Sequence, residues 1–176
     1  GNTVIDIQTF NSMDLMQLCG AVKNKYDDCT ALERPQEILI DVIGLGSGVV
    51  DRLSEQNLPV RGINVAESPS TKNNYLNLRA ELWFAIKDWL AQRDCRLPND
   101  DELVSELAAP SYKYTSTGKI KLESKEEMRK RGIKSPDKAD ALALTMASSA
   151  ASFGGSVNYL GYNFRKPVKS KILRVG

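Results

Sequence analysis

The chain has 176 residues, 41% hydrophobic and 26% charged, which suits one folded domain with a core of its own. It contains no His, which excludes Ser-His-Asp and Cys-His catalysis and any His-ligated zinc site. The net charge of +2 hides a split: residues 1–112 hold 10 basic and 17 acidic side chains, residues 113–176 hold 14 and 5, so the second part either meets a polyanion or presents a basic solvated face and tail.

No apolar run approaches the ~20 residues that cross a membrane. Cys19, Cys29 and Cys95 are scattered, odd in number and without metal-ligand spacing, as expected of a reducing cytoplasm. No signal peptide is visible and Gly1 is not an initiator Met, which reads as a fragment or a processed chain.

Thr3 to Phe10 is rich in β-formers and predicts a strand. Ser12 is placed to cap a helix over Met13 to Lys25, with Leu15, Met16, Cys19 and Val22 at helical spacing. Ile38 to Val42 predicts a buried strand, Val49 to Gln56 a short helix, and Leu58 to Val65 a further strand. Strands alternating with helices argue for α/β layering with some parallel pairing. A carboxylate in the apolar run Ile38-Leu39-Ile40-Asp41-Val42-Ile43 costs several kcal/mol unless paired or bound to a metal. Asp41 is therefore a candidate ligand; the plainer alternative is a strand-end acid that satisfies the glycine turn after it.

Tyr75 to Arg93 has the longest helical pattern, and Trp83 and Trp89 within it read as packing residues. Asp100 to Leu107 predicts a short acidic helix, and Tyr112 to Leu122 a hairpin turning at Ser116-Thr117-Gly118. Ser124-Lys125-Glu126-Glu127 resembles a capping box. The last helix runs from Pro136 to Ala151, with Ser135 as its N-cap. Residues 152–176 predict a mostly extended or disordered basic tail.

Asp137 and Asp140 lie three apart at the start of that last helix and so share a face. Two like charges there need something positive between them, and a divalent metal is the obvious candidate; the alternative is a capped surface helix whose acids are solvated. Lys119, Lys121, Lys125, Arg129, Lys130, Arg131 and Lys134 precede the pair and would hold backbone phosphates without reading sequence. Carboxylates are hard oxygen ligands suited to Mg²⁺ or Mn²⁺. Acids on a strand and a late helix fit two-metal phosphodiester hydrolysis, which needs no His.

The runs Ile38–Leu53 (ILIDVIGLGSGVVDRL), Asn77–Trp89 (NLRAELWFAIKDW) and Ile120–Thr145 (IKLESKEEMRKRGIKSPDKADALALT) resemble the nuclease domain of tailed-phage terminase large subunits. The resemblance covers Val4 to Ala147. It implies an α/β ribonuclease H-like fold, a mixed sheet flanked by helices with an auxiliary hairpin, over residues 1–151, followed by the tail. It implies a metal-dependent endonuclease that cuts concatemeric viral double-stranded DNA in the cytoplasm of an infected bacterium, with two Mg²⁺ or Mn²⁺ ions. The partners it implies are the capsid portal protein and the terminase small subunit.

By the same resemblance Asp41 matches the second metal-binding acid, Asp140 the acid of the late helix, and Asp137 an additional ligand of some members. Lys119 and Lys121 fall in the auxiliary hairpin, Lys125 and Arg129 in the segment leading to the metal site. The family's first acid, on the strand preceding the one read here as Val4–Phe10, has no counterpart, and Asp6 is not assigned to it. No GxxxxGK[ST] motif is present. Tyr159, Tyr162 and Phe164 are compatible with portal docking or with DNA contact. Two other readings fit parts of the same sequence: a non-catalytic DNA- or portal-binding module on the same fold, and a dinucleotide-binding domain using Gly44, Gly46, Gly48 and Glu67, whose GxGxG spacing departs from GxGxxG.

Overall fold

The computed structural model describes residues 3–153 and 169–175. Six strands and six helices are formed by them: β1 (Thr3–Phe10), α1 (Leu15–Asp27), β2 (Ile38–Asp41), α2 (Gly46–Glu55), β3 (Val60–Ile63), α3 (Leu78–Ala91), α4 (Asp101–Ala108), β4 (Tyr112–Tyr114), β5 (Ile120–Leu122), α5 (Lys125–Lys130), α6 (Asp137–Phe153) and β6 (Lys169–Val175). The strands pair two by two: β1 with β6 and β2 with β3 in parallel, β4 with β5 antiparallel. The α/β layering and the parallel pairing follow the sequence reading, in a chain whose sheets are small.

Where the termini differ from that reading, the reason is local. α1 is capped by Asp14, whose carboxylate accepts the Gln17 N–H while the Gln17 side chain bonds back, a capping box two residues past Ser12. Ser12 itself adopts φ 58°. α3 starts at Leu78 because Asn77 accepts the Ala80 N–H. α5 opens with the expected capping box of Ser124 and Glu127. Within the segment expected to be a mostly extended or disordered tail, residues 169–175 form strand β6 along β1. Tyr159, Tyr162 and Phe164 lie outside the described residues.

The main core joins Val4 of β1 and Ile63 of β3 to α3 (Ala80, Leu82, Trp83, Ile86), Leu103 of α4, and Ala139, Leu142 and Ala143 of α6. α6 packs on α3 and α4 and also touches β2. A second cluster of Cys19, Val22, Val49, Leu53 and Leu58 holds α1 on α2. The glycines between β2 and α2 serve this packing. A Cβ at Gly46 would lie 1.7 Å from the Asp41 carbonyl oxygen, and one at Gly48 would lie 2.6 Å from Leu15 Cδ1. Close backbone and side-chain approach thus accounts for both glycines without a pyrophosphate.

Candidate active site at the start of the last helix

α6 begins where side chains of α3, α4 and α5 converge. Pro136 is buried and its carbonyl accepts the Asp140 N–H. The first-turn N–H groups of a helix have no partner within it. The Ser135 hydroxyl donates to Asp137 Oδ1 at 2.6 Å. Glu106 of α4 supplies one such partner, accepting the Ala139 N–H at 2.9 Å.

Asp137 and Asp140 do share a face, with something positive between them. That group is the Lys125 ammonium, 3.2 Å from Asp137 Oδ1 and 3.1 Å from Asp140 Oδ2. Asp140 is the more enclosed centre of the network. Its Oδ1 accepts from Trp83 Nε1 at 2.8 Å and from Arg79 Nε at 3.1 Å. Arg79 also donates to the Glu123 carbonyl at 2.8 Å, tying the acid to the segment after the hairpin. Asp140 Oδ2 is buried and accepts no hydrogen bond among the described residues, since the Lys125 contact is an ion pair without hydrogen-bond alignment.

A cleft of about 800 Å³ opens beside this turn. Asp137, Lys125, Arg129 and Lys134 line it, with Thr9 and Asn11 at the end of β1 and Glu102 and Glu106 from α4. Four of the sequence-predicted residues are therefore brought together in one cavity, with Asp140 directly behind them.

The other predicted residues have different surroundings. Asp41 is exposed at the end of β2, where its Oδ1 accepts the Ile43 N–H at 3.0 Å. It is the strand-end acid satisfying the following turn, rather than a buried charge in need of a counter-ion. Arg131 is engaged by Glu123, through bonds of 2.7 and 2.5 Å, and by the Ala109 carbonyl. The Arg131 hydrogen bond, followed by the Ser111 N–H, holds the Glu123 carboxyl below the usual range.

Lys119 and Lys121 lie on the hairpin, where the β4–β5 register sets Lys121 opposite Lys113. Like charges directly opposite are unfavourable, and Glu127 offsets them by bonding Lys113 at 3.1 Å. The Ser124 N–H and then Lys113 hold the Glu127 carboxyl down to about 2. Lys130 is exposed on α5, outside the cleft lining.

Sequence reasoning missed Arg79, Trp83, Glu106 and Lys138. The first two had a signal: they stand four apart on α3, so they share a face, and a charge within an apolar helix needs a partner. Glu81 was a second such charge. It is buried and accepts from the Ser70 and Thr71 N–H and hydroxyl groups, pinning the preceding loop to α3. Burial pushes the Glu81 carboxyl up, but those hydrogen bonds outweigh it and hold it below its ordinary value.

Among the described residues, no three His, Cys, Asp or Glu side chains group closely enough to hold a metal together. The donor chemistry still fits a hard divalent cation. Two carboxylates converge on one positive nitrogen, one of their oxygens is buried without a hydrogen bond, and magnesium commonly binds through one or two carboxylates and water.

No family model and no curated protein matches the sequence. Solved structures do match in fold. The nuclease domain of the large terminase subunit of bacterial virus Sf6 superposes with a TM-score of 0.62 at 24% identity, over 76% of this chain and 73% of that one. A point variant of that domain with manganese gives 0.63 at 23% identity, over 77% and 74%. The large terminase nuclease of thermophilic phage G20c with bound magnesium gives 0.57 at 18%, over 78% and 64%. The chain thus has the fold of phage large terminase nuclease domains.

Proposed function

We propose that this chain is the nuclease domain of a phage DNA-packaging terminase, a divalent-metal-dependent endonuclease acting on double-stranded DNA. The observation that carries the reading is the pairing of Asp137 and Asp140 on one cation beside a cleft lined by Lys125, Arg129 and Lys134, on a fold shared with terminase nucleases solved with manganese or magnesium.

Asp137 and Asp140 are the residues that would hold Mg²⁺ or Mn²⁺. A hard cation there supplies charge neutralisation at a scissile phosphate and an acidified water, chemistry open to a His-free chain. Arg79 and Trp83 orient the Asp140 carboxylate, so one oxygen stays directed toward the shared cation position. Arg129 and Lys134 hold phosphate at the cleft, and Lys119, Lys121 and Lys130 extend the basic surface. Asp41, at the end of a strand that α6 touches, enters as a third acid on the resemblance alone, because it does not group with Asp137 and Asp140 among the described residues. The finer readings are proposals on the same footing: a ribonuclease H-like sheet, two ions, cutting of concatemers in the host cytoplasm, and docking on portal protein and small subunit.

Supercoiled-plasmid cleavage in Mn²⁺, beside EDTA and Asp137→Asn, tests the reading. Metal-dependent nicking lost in the variant supports it. Cleavage that survives both EDTA and the substitution defeats it. Binding that weakens steeply with salt supports the phosphate contacts, and salt-independent binding removes them.

A second reading has its own observation. Asp140 is hydrogen-bonded by Arg79 and Trp83 of α3 and ion-paired with Lys125 of α5, so it could serve as a structural keystone in a DNA-binding module without catalysis. That module would retain DNA without metal, and Asp137→Asn would leave its behaviour unchanged.

A further inference from the structure

We propose that helix α4 is the positioning element of the acidic turn, holding the two residues between Asp137 and Asp140 so that both carboxylates face one cation. The inference rests on the metal-site reading above. Lys138 and Ala139 are the two intervening residues, and α4 and its cap grip both. Lys138 Nζ lies 2.7 Å from Asp100 Oδ2 and 2.7 Å from Glu102 Oε2. The Lys138 side chain is only 12% exposed, so its charge is largely withdrawn from water and depends on those partners. The Ala139 N–H is bonded by Glu106 Oε2, as described. Ala139 itself is fully buried, so that donor has no recourse to solvent.

The geometry separates two sides of one helical turn. Residues 138 and 139 face α4, while 137 and 140 face Lys125, Arg79 and Trp83 on α5 and α3. A turn held from one side only could rotate about the helix axis and pull the two carboxylates off a common point. Held from both sides, it fixes their separation. Glu106 and Lys138 are thus positioning residues, acting through the backbone and charge of the turn.

Mn²⁺ titration of the full chain, read by electron paramagnetic resonance of the free ion, tests this without relying on activity. The set is wild type, Asp140→Asn, Glu106→Ala, Glu106→Gln, Lys138→Met, Lys138→Arg, and Leu53→Ala as a destabilised control in the separate core cluster. Glu106→Ala and Lys138→Met should each weaken Mn²⁺ by about tenfold, the usual scale for partners that orient a ligand. Glu106→Gln, which keeps an acceptor for the Ala139 N–H, and Lys138→Arg should restore most of the affinity. The inference is overturned if Glu106→Ala binds as wild type, or if Leu53→Ala weakens binding as much. Absence of Asp140-dependent Mn²⁺ binding in wild type is a different failure: it defeats the metal-site reading and the role of α4 together.

Discussion

Asp41 and Asp140 invite the same reading as sequence, an acid beside an apolar run, and the folded chain treats them in opposite ways. Asp41 ends its strand in solvent and satisfies a backbone N–H two residues on. Asp140 sits 20% exposed among Arg79, Trp83 and Lys125, drawn from two other helices. The difference lies in what surrounds each carboxylate in space. A short strand allows its last residue to leave the core, whereas one turn into a long packed helix the side chain has nowhere else to go.

The largest effect that would break this contrast is on stability. Asp140→Ala takes the carboxylate partner from the Arg79 guanidinium, which keeps only its bond to the Glu123 carbonyl, and leaves the Trp83 N–H unpaired, and should cost about 3–5 kcal/mol in urea unfolding. Asp41→Ala should cost no more than about 1.5 kcal/mol, the worth of one local hydrogen bond. Equal costs would mean that Asp140 is no more embedded than Asp41. Asp140→Asn keeps an acceptor but loses the charge, so it should fall between, at about 1–3 kcal/mol. For that reason Asp137→Asn is the cleaner test of chemistry.

Lys125→Met should tighten Mn²⁺ binding at least about thirtyfold, because a unit charge about 4 Å from a divalent ion costs about 2 kcal/mol even in water-like surroundings. Weaker binding in that variant would mean that Lys125 orders the acids more than it competes with the cation.

The smallest effect is in pH dependence. Lys138 holds Asp100 and Glu102 below their ordinary values. Depressed acids contribute stability above about pH 4, lost as pH falls through the lowered values. The hydrogen bonds it donates to Asp100 and then Glu102 raise Lys138, a contribution present below about pH 10 and lost as pH climbs through its raised value. Lys138→Met should therefore lose less stability than wild type between pH 7 and pH 3. An unchanged acid limb would remove the clasp from the account.

Much of this was legible from the residues. Patterning, the apolar run of β2 and the capping box of α5 together found the elements that precede the tail, and the i, i+3 spacing of Asp137 and Asp140 left two choices, a positive group between them or two solvated acids. That the group is an ammonium twelve residues upstream was not legible, because spacing states the need and not the partner. Glu106 and Lys138 were hidden for the same reason: their contacts span more than thirty residues. The apolar run around Asp41 misled, since hydropathy cannot tell the middle of a strand from its solvent-facing end. β6 was missed because a polar, lysine-rich segment reads as a strand only once β1 lies beside it.

The most direct test of the central claim is a crystal of the full chain soaked in Mn²⁺, with anomalous scattering used to locate the ion. The account predicts a peak within about 2.5 Å of carboxylate oxygens of both Asp137 and Asp140, with the Lys125 ammonium moved off them. A peak confined to the α4 acids, or Lys125 still bridging the pair at saturating Mn²⁺, would contradict it.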